Sequence, residues 1–256
     1  MLSIFAVFLI GLATGAIVNY LSDVLPIKRQ LVAPICLHCE ARQSVVNYFF
    51  WPRRCKVCGR QRKFRAYVVE LVLAISALWL WLYPPENIGF VTGILLLMYF
   101  GLVTVIDIEH RLILNPVSLV GAAMSLIIGT WLHGLKTTLV GGIIGFLAML
   151  FLYFFGGVLM NWLARRRGKV LDEDALGFGD VNLSGILGLL LGWPGVMIGL
   201  ILTILLAGVF SLLYLLGALL TRSYRMNMSI PYGPFLISSA FILLFFREYV
   251  LQYLGW

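Results

Sequence analysis

The chain has 256 residues, of which 61% are hydrophobic and only 12% charged, and its mean hydropathy is +0.99. A soluble domain carries about twice that charged fraction, so the composition excludes a soluble globular enzyme and points to a polytopic membrane protein. The net charge of +8 matters less than where the basic residues lie, because their distribution sets the orientation of the spans.

The first predicted element is an apolar span over residues 1–21, with the small-residue run "GLATGA" near its end. A cleavable signal peptide opens on a basic stretch, and here no Lys or Arg precedes Lys28. Residues 1–21 are therefore expected to be a retained first transmembrane helix.

Residues 22–66 are the only polar stretch of any size. A segment this short needs a metal or disulfides to hold a fold. It contains all four cysteines, "CLHC" (36–39) and "CKVC" (55–58), spaced C-x2-C-x15-C-x2-C. That spacing brings two thiolate pairs onto one tetrahedral ion, so Cys36, Cys39, Cys55 and Cys58 are expected to bind zinc. His38 breaks the spacing, and four thiolates leave no open coordination position, so the zinc is structural. The basic run Arg53, Arg54, Lys56, Arg60, Arg62, Lys63 and Arg65 reads as an anchor on the anionic lipid bilayer, not as a nucleic-acid surface. Tyr48, Phe49, Phe50 and Trp51 would then sit at the membrane interface. No internal repeat stands out.

Further spans of about 17–25 apolar residues follow near 67–83, 90–107, 115–132, 137–163, 179–193, 195–220 and 231–253. The expected fold is an all-α polytopic membrane protein. It has about eight transmembrane helices and a small cytoplasmic zinc-binding domain between the first and second. The expected division is 1–21, 22–66 and a peptidase core over 67–256. The sixth span is short for a full crossing. "YPPENIG" (83–89), "WLHGLK" (131–136) and "GWPG" (192–195) are tight connections marked by Pro or Gly.

Lys and Arg then orient the chain. With eight alternating spans, segment 22–66, Arg111, "ARRRGK" (164–169), Arg222 and Arg225 all fall on one side. They hold 17 of the 19 basic residues. That side is cytoplasmic and both termini lie outside. A reducing cytosol also disfavours disulfides among the four cysteines.

The eleven acidic residues divide by depth. Asp172, Glu173 and Asp174 read as solvated loop, Glu86 and Glu248 as external, and Asp23 and Glu40 as part of the cytoplasmic region. Glu70, Asp107, Glu109 and Asp180 remain at or inside span ends, where an ionisable group is a functional candidate. Asp107 ends the third span and Asp180 begins the sixth, both at the cytoplasmic rim. Two such carboxylates sharing a proton can split the work of peptide hydrolysis, one activating water and the other polarising the carbonyl. The other reading has Asp180 capping its helix and Asp107 pairing with His110 or Arg111. The residues alone leave both open.

The motifs carry a resemblance along nearly the whole chain. "GAIVNYLSDVLP" (15–26), the cysteine quartet with "FRAYVVELV" (64–72), "DIEHRLILNPVSL" (107–119), "LGFGDVNL" (176–183) and "IPYGPFL" (230–236) together resemble the bacterial type IV prepilin peptidases. These are GxGD-type aspartic proteases of the inner membrane. The resemblance implies that Asp107 and Asp180 are the catalytic pair and that the four cysteines bind zinc. It implies cleavage of a basic leader from prepilin or pseudoprepilin precursors of type IV pilus or type II secretion systems. Many members also methylate the new N-terminus using S-adenosylmethionine, an activity that here rests on resemblance alone. Asp23 stands where the family carries a basic residue, and Ala16 where it has Ser. The alternative is a non-enzymatic channel or transporter with a zinc-knuckle regulatory loop. Such a protein would place its polar residues at mid-membrane depth in broken helices. A presenilin-like protease would need Tyr before the first Asp, where this chain has Ile106.

Overall fold

The computed structural model describes residues 2–50, 53–85, 87–167, 177–220 and 231–246. The expected loop 221–230, most of 164–178, Glu86, Asp172, Glu173, Asp174, Arg247, Glu248 and Trp51 lie outside the described residues. Among the described residues the chain is all-helical apart from two isolated bridges. The helices are α1 (Leu2–Lys28), α2 (Val45–Phe49), α3 (Phe64–Leu82), α4 (Phe90–His110), α5 (Asn115–His133), α6 (Leu135–Arg167), α7 (Phe178–Leu191), α8 (Gly195–Leu220) and α9 (Gly233–Phe245). By length and composition, six of them can cross a membrane: α1, α3, α4, α5, α6 and α8. The chain divides into two compact units, 1–112 and 113–256.

In the first unit α1 packs on both α3 and α4. The α1–α3 contact is backbone against backbone. A Cβ on Gly11 would lie 2.5 Å from Ala74 Cα, and one on Gly15 2.5 Å from Glu70 Cα. Small residues four apart are a common way for membrane helices to approach closely, because lipid supplies no hydrophobic drive and packing must supply the attraction. The same i, i+4 row continues into Asn19 and Asp23. α1 runs past residue 21 to Lys28 and tolerates Pro26 in its final turn. It stops where Arg29 turns left-handed, with φ 53°.

The second unit is built around α7. This 14-residue helix is about 21 Å long at 1.5 Å per residue, well short of a bilayer core of about 30 Å. Its shortness fits its place, since it packs against α5, α6, α8 and α9 and Val181, Leu183, Leu187 and Leu190 are buried. The α6 crossing is again backbone to backbone. A Cβ on Gly188 would lie 2.4 Å from Gly141 O, and one on Gly141 the same distance from Gly188 O. Ser184 Oγ donates to Gly145 O at 2.9 Å across the same contact. Between α8 and α9, the hydroxyls of Thr203 and Ser239 are hydrogen-bonded at 2.7 Å.

Candidate active site and metal centre

The four cysteines are brought together. Their Sγ atoms all lie within 4.8 Å of one another, with Cys36 to Cys58 at 3.7 Å and Cys39 to Cys55 at 3.6 Å. A disulfide needs about 2.05 Å, whereas tetrahedral zinc with Zn–S of about 2.3 Å separates its sulfurs by about 3.8 Å. The donor set and its spacing therefore fit a zinc ion. The two halves of the site are built alike. Cys36 N–H donates to Ala41 O and Glu40 N–H to Cys36 O; in the second half Cys55 N–H donates to Arg60 O and Gly59 N–H to Cys55 O. Each half is closed by an antiparallel bridge, Ile35 to Arg42 and Arg54 to Gln61. Each turns through a positive φ, 53° at Glu40 and 70° at Gly59. Each runs into a helix, α2 or α3, whose N-cap lies five residues past the second cysteine. This is a repeat in backbone form that the side chains conceal. Backbone N–H groups of Cys58 and Val57 pull the Cys55 thiol down to about 6, while burial and the neighbouring cysteines push Cys39 up. With four thiols this close, one gives up its proton before the others, and a bound cation would draw the rest down.

Beside the knuckles lies a buried charge network that the sequence reading divided between lipid and solvent. Asp23 is 3% exposed. It accepts from Arg62 Nη2 at 2.9 Å, from Arg65 Nη2, and from the Tyr48 hydroxyl. The Arg62 guanidinium lies 4.0 Å from the Tyr48 ring centroid. Burial, followed by the Asp23 charge, holds the Tyr48 phenol well above its ordinary range, so Tyr48 is a donor here. Glu70 accepts from Arg53 Nη1 at 2.8 Å and from Asn19 Nδ2 at 3.3 Å. Asn19 Nδ2 also donates to Ala66 O at 2.8 Å. Two expectations are corrected by this. Arg53, Arg62 and Arg65 turn inward to carboxylates and do not serve as lipid anchors. Tyr48 is buried, not interfacial. Asp23, which departs from the family's basic residue, is matched by two arginines. The signal that would have exposed it is the i, i+4 row Gly11, Gly15, Asn19, Asp23 leading from small residues to a carboxylate on one helix face.

Asp107 is 5% exposed and sits in the last turn of α4, after the buried Ile106. The helix stops there because Arg111 is left-handed, and its N–H donates to Asp107 O at 2.9 Å. Asp180, in the second unit, is 9% exposed. The N-cap of α7 is Gly177, without a side-chain cap bond. Asp180 is therefore three residues into the helix, where a carboxylate gains from the N-terminal partial charge without being the cap. The neighbouring glycines have separate reasons. A Cβ on Gly179 would come within 3.0 Å of Ile113 Cβ, and one on Gly177 within 3.4 Å of Asp180 Oδ2. Tyr232, the N-cap of α9, lies within electrostatic reach of Asp180 and is a neighbour that the sequence reading did not single out. Each carboxylate thus ends or begins a helix of its own unit, buried in that unit.

Comparison with known proteins follows the same lines. Residues 93–212 match the model of the type IV leader peptidase family. A prepilin leader peptidase/N-methyltransferase of Aeromonas salmonicida (strain A449) is 24% identical over 226 residues, covering 86% of this chain and 72% of the relative. One of the same name from Stutzerimonas stutzeri is 26% identical over 229 residues, 84% and 72% of the two chains. An Escherichia coli O78:H11 protein named type 4 prepilin-like proteins leader peptide-processing enzyme is 29% identical over 205 residues, covering 78% and 70%. No solved structure matches the chain. The resemblance to the type IV prepilin peptidases that the motifs carry thus holds along most of the chain.

Proposed function

We propose that the protein removes the basic leader from prepilin-like precursors at the cytoplasmic face of the bacterial inner membrane, with Asp107 and Asp180 as the reacting pair. The observation that carries this reading is the burial of both carboxylates at helix ends inside segments that resemble the family's active site. One carboxylate, ionised, takes a proton from water as that water attacks the scissile carbonyl. The other, protonated, polarises the carbonyl oxygen and then gives its proton to the departing amine. Water adds across the C–N bond and no covalent intermediate forms. The zinc held by Cys36, Cys39, Cys55 and Cys58 takes no part in that chemistry, since four thiolates close its shell.

Methylation by S-adenosylmethionine is carried by the relatives' names alone. An open groove between α5, α6 and α7, about 560 Å³, is lined by apolar side chains with Asn115, Ser118 and Asn182 as its polar groups. Among the described residues its lining offers no charged side chain to the amino-acid end of that cofactor and does not fit it.

The test uses purified full-length protein and a small precursor with a basic leader, a Gly and an apolar helix of about 20 residues. Mass spectrometry is expected to find a product beginning directly after that Gly. With S-adenosylmethionine added, a product one methyl group heavier would extend the activity to methylation. An uncut precursor would overturn the reading, and ion flux through reconstituted vesicles would then favour the channel.

The orientation is part of the proposal: eight spans, both termini outside, the zinc-binding region in the cytosol. Leu31 and Leu135 are both exposed, but the topology puts them on opposite faces. In intact cells an impermeant maleimide is expected to label Leu135→Cys, and Leu31→Cys only after permeabilisation. Labelling at 31 in intact cells would sink the topology.

A further inference from the structure

We propose that Arg65 is a positioning residue for the reaction. Its guanidinium ties the end of α4, which carries Asp107, to the buried Asp23 of α1. This rests on the reading of Asp107 as half of the reacting pair.

The last turn of a helix is its weakest, because its final four carbonyls have no partner within the helix and ends fray first. On α4 that turn is 107–110, and the chain leaves it as non-helical backbone over 111–114. Something outside the helix must hold it if Asp107 is to keep one position. Glu109, two residues after Asp107, accepts from Arg65 Nη1, and Arg65 Nη2 donates to Asp23. One guanidinium thus spans two carboxylates on two helices, which its planar fork allows and a lysine's single ammonium does less well.

Exposed ion pairs contribute little, but this one is anchored in the interior. Asp23 is fully inside the unit and is also held by Arg62 and Tyr48. Arg65 lies in the first turn of α3, while Arg62 directly follows Gln61 of the bridge that closes the second cysteine half, so the brace runs from the metal centre to the turn bearing Asp107. Misplacing a reacting group by about 1 Å can cost about 100-fold in rate, so such a brace has a chemical consequence beyond stability.

The experiment compares Arg65→Met, Glu109→Leu and their double variant with the conservative Arg65→Lys and Glu109→Gln. Gln still accepts from the guanidinium, and Lys keeps the charge. For each, kcat and KM on a precursor, zinc content, and the mobility of a spin label at Ile108→Cys are measured. Ile108 is exposed on the same turn. The expected result is a fall in kcat of at least about tenfold in Arg65→Met and Glu109→Leu, with KM within about twofold and zinc retained. The double variant should be no worse than either single one, the label should loosen, and Glu109→Gln should recover most of the rate. Unchanged label mobility in Arg65→Met would show that nothing is braced. A loosened label with unchanged kcat would show a brace that positions nothing for the reaction. A loss of rate that tracks loss of zinc would assign Arg65 to folding alone. Each of these overturns the proposal. If the unaltered chain cuts no precursor, the underlying reading fails instead, and the label still decides whether Arg65 holds the helix end.

Discussion

Asp107→Asn and Asp180→Asn are each expected to abolish leader removal, lowering its rate by at least about 1,000-fold, with the double variant no worse than either single one. Asn keeps the size and much of the hydrogen bonding of Asp but can neither hold nor release the proton on which the reaction depends. Both carboxylates are buried, at 5% and 9% exposure, so bulk water cannot easily replace the missing base. The rival role for Asp180 predicts a different outcome. Its helix is capped at Gly177, and Asp180 gains only from the partial charge of the first turn, worth about 0.3–1 kcal/mol. A purely structural Asp180 would therefore tolerate Asn with little loss of rate. Zinc content and membrane insertion should be unchanged in both variants, since the donor set is the four cysteines and neither residue is needed to span the bilayer. Either variant cutting precursor at an appreciable fraction of the normal rate would rule out the two-carboxylate mechanism.

What the sequence made legible follows from the kind of signal each feature leaves. Long apolar runs are local, and the helices α3 to α8 begin and end within a few residues of the expected spans, apart from α6, which runs on at its C-terminal end. The exception at the start is instructive. Asp23 reads as part of the cytoplasmic region, yet α1 continues to Lys28 because Asp23 finds two arginines and need not seek water. Charge counting treats each arginine as solvated. It cannot know that Arg53 and Arg62 come from a loop that folds back on α1 and α3, or that Arg65, in the first turn of α3, turns to Asp23.

The cysteine quartet was legible because metal ligation fixes residue type and spacing together. The likeness of its two halves was not. It resides in matching backbone hydrogen bonds and positive-φ turns, which Glu40 and Gly59 satisfy with unlike residues. The two aspartates were legible as polar groups at span ends, and their separate helical contexts bear on how each is held.

Removing the metal is expected to have the other large effect. In Cys36→Ser with Cys55→Ser, zinc should fall from about one per chain to none, because each knuckle loses the first of its two thiolates. Structural zinc contributes about 10–16 kcal/mol in small zinc-finger peptides, more than a segment of this size can replace by burying apolar surface. Residues 30–63 should then lose their fold and become sensitive to protease. The consequence should reach into the helices, because Arg53 and Arg62 are placed by that segment. Withdrawing them leaves Glu70 and Asp23 buried with fewer partners, and breaking a buried pair in this way typically costs about 3–5 kcal/mol. The α1–α3 contact itself should survive, since Gly11 and Gly15 pack on α3 without help from the loop. A second substitution separates the two effects. Glu70→Gln should be destabilising in the zinc-loaded protein, where it breaks the pair with Arg53. It should be nearly neutral or stabilising once the zinc is gone, where it removes an unpaired buried charge. Thermal unfolding of the four proteins, read alongside metal analysis, measures that sign change. Disulfides in freshly prepared protein, or an equal effect of Glu70→Gln with and without zinc, would show that the metal centre does not hold the arginines in place.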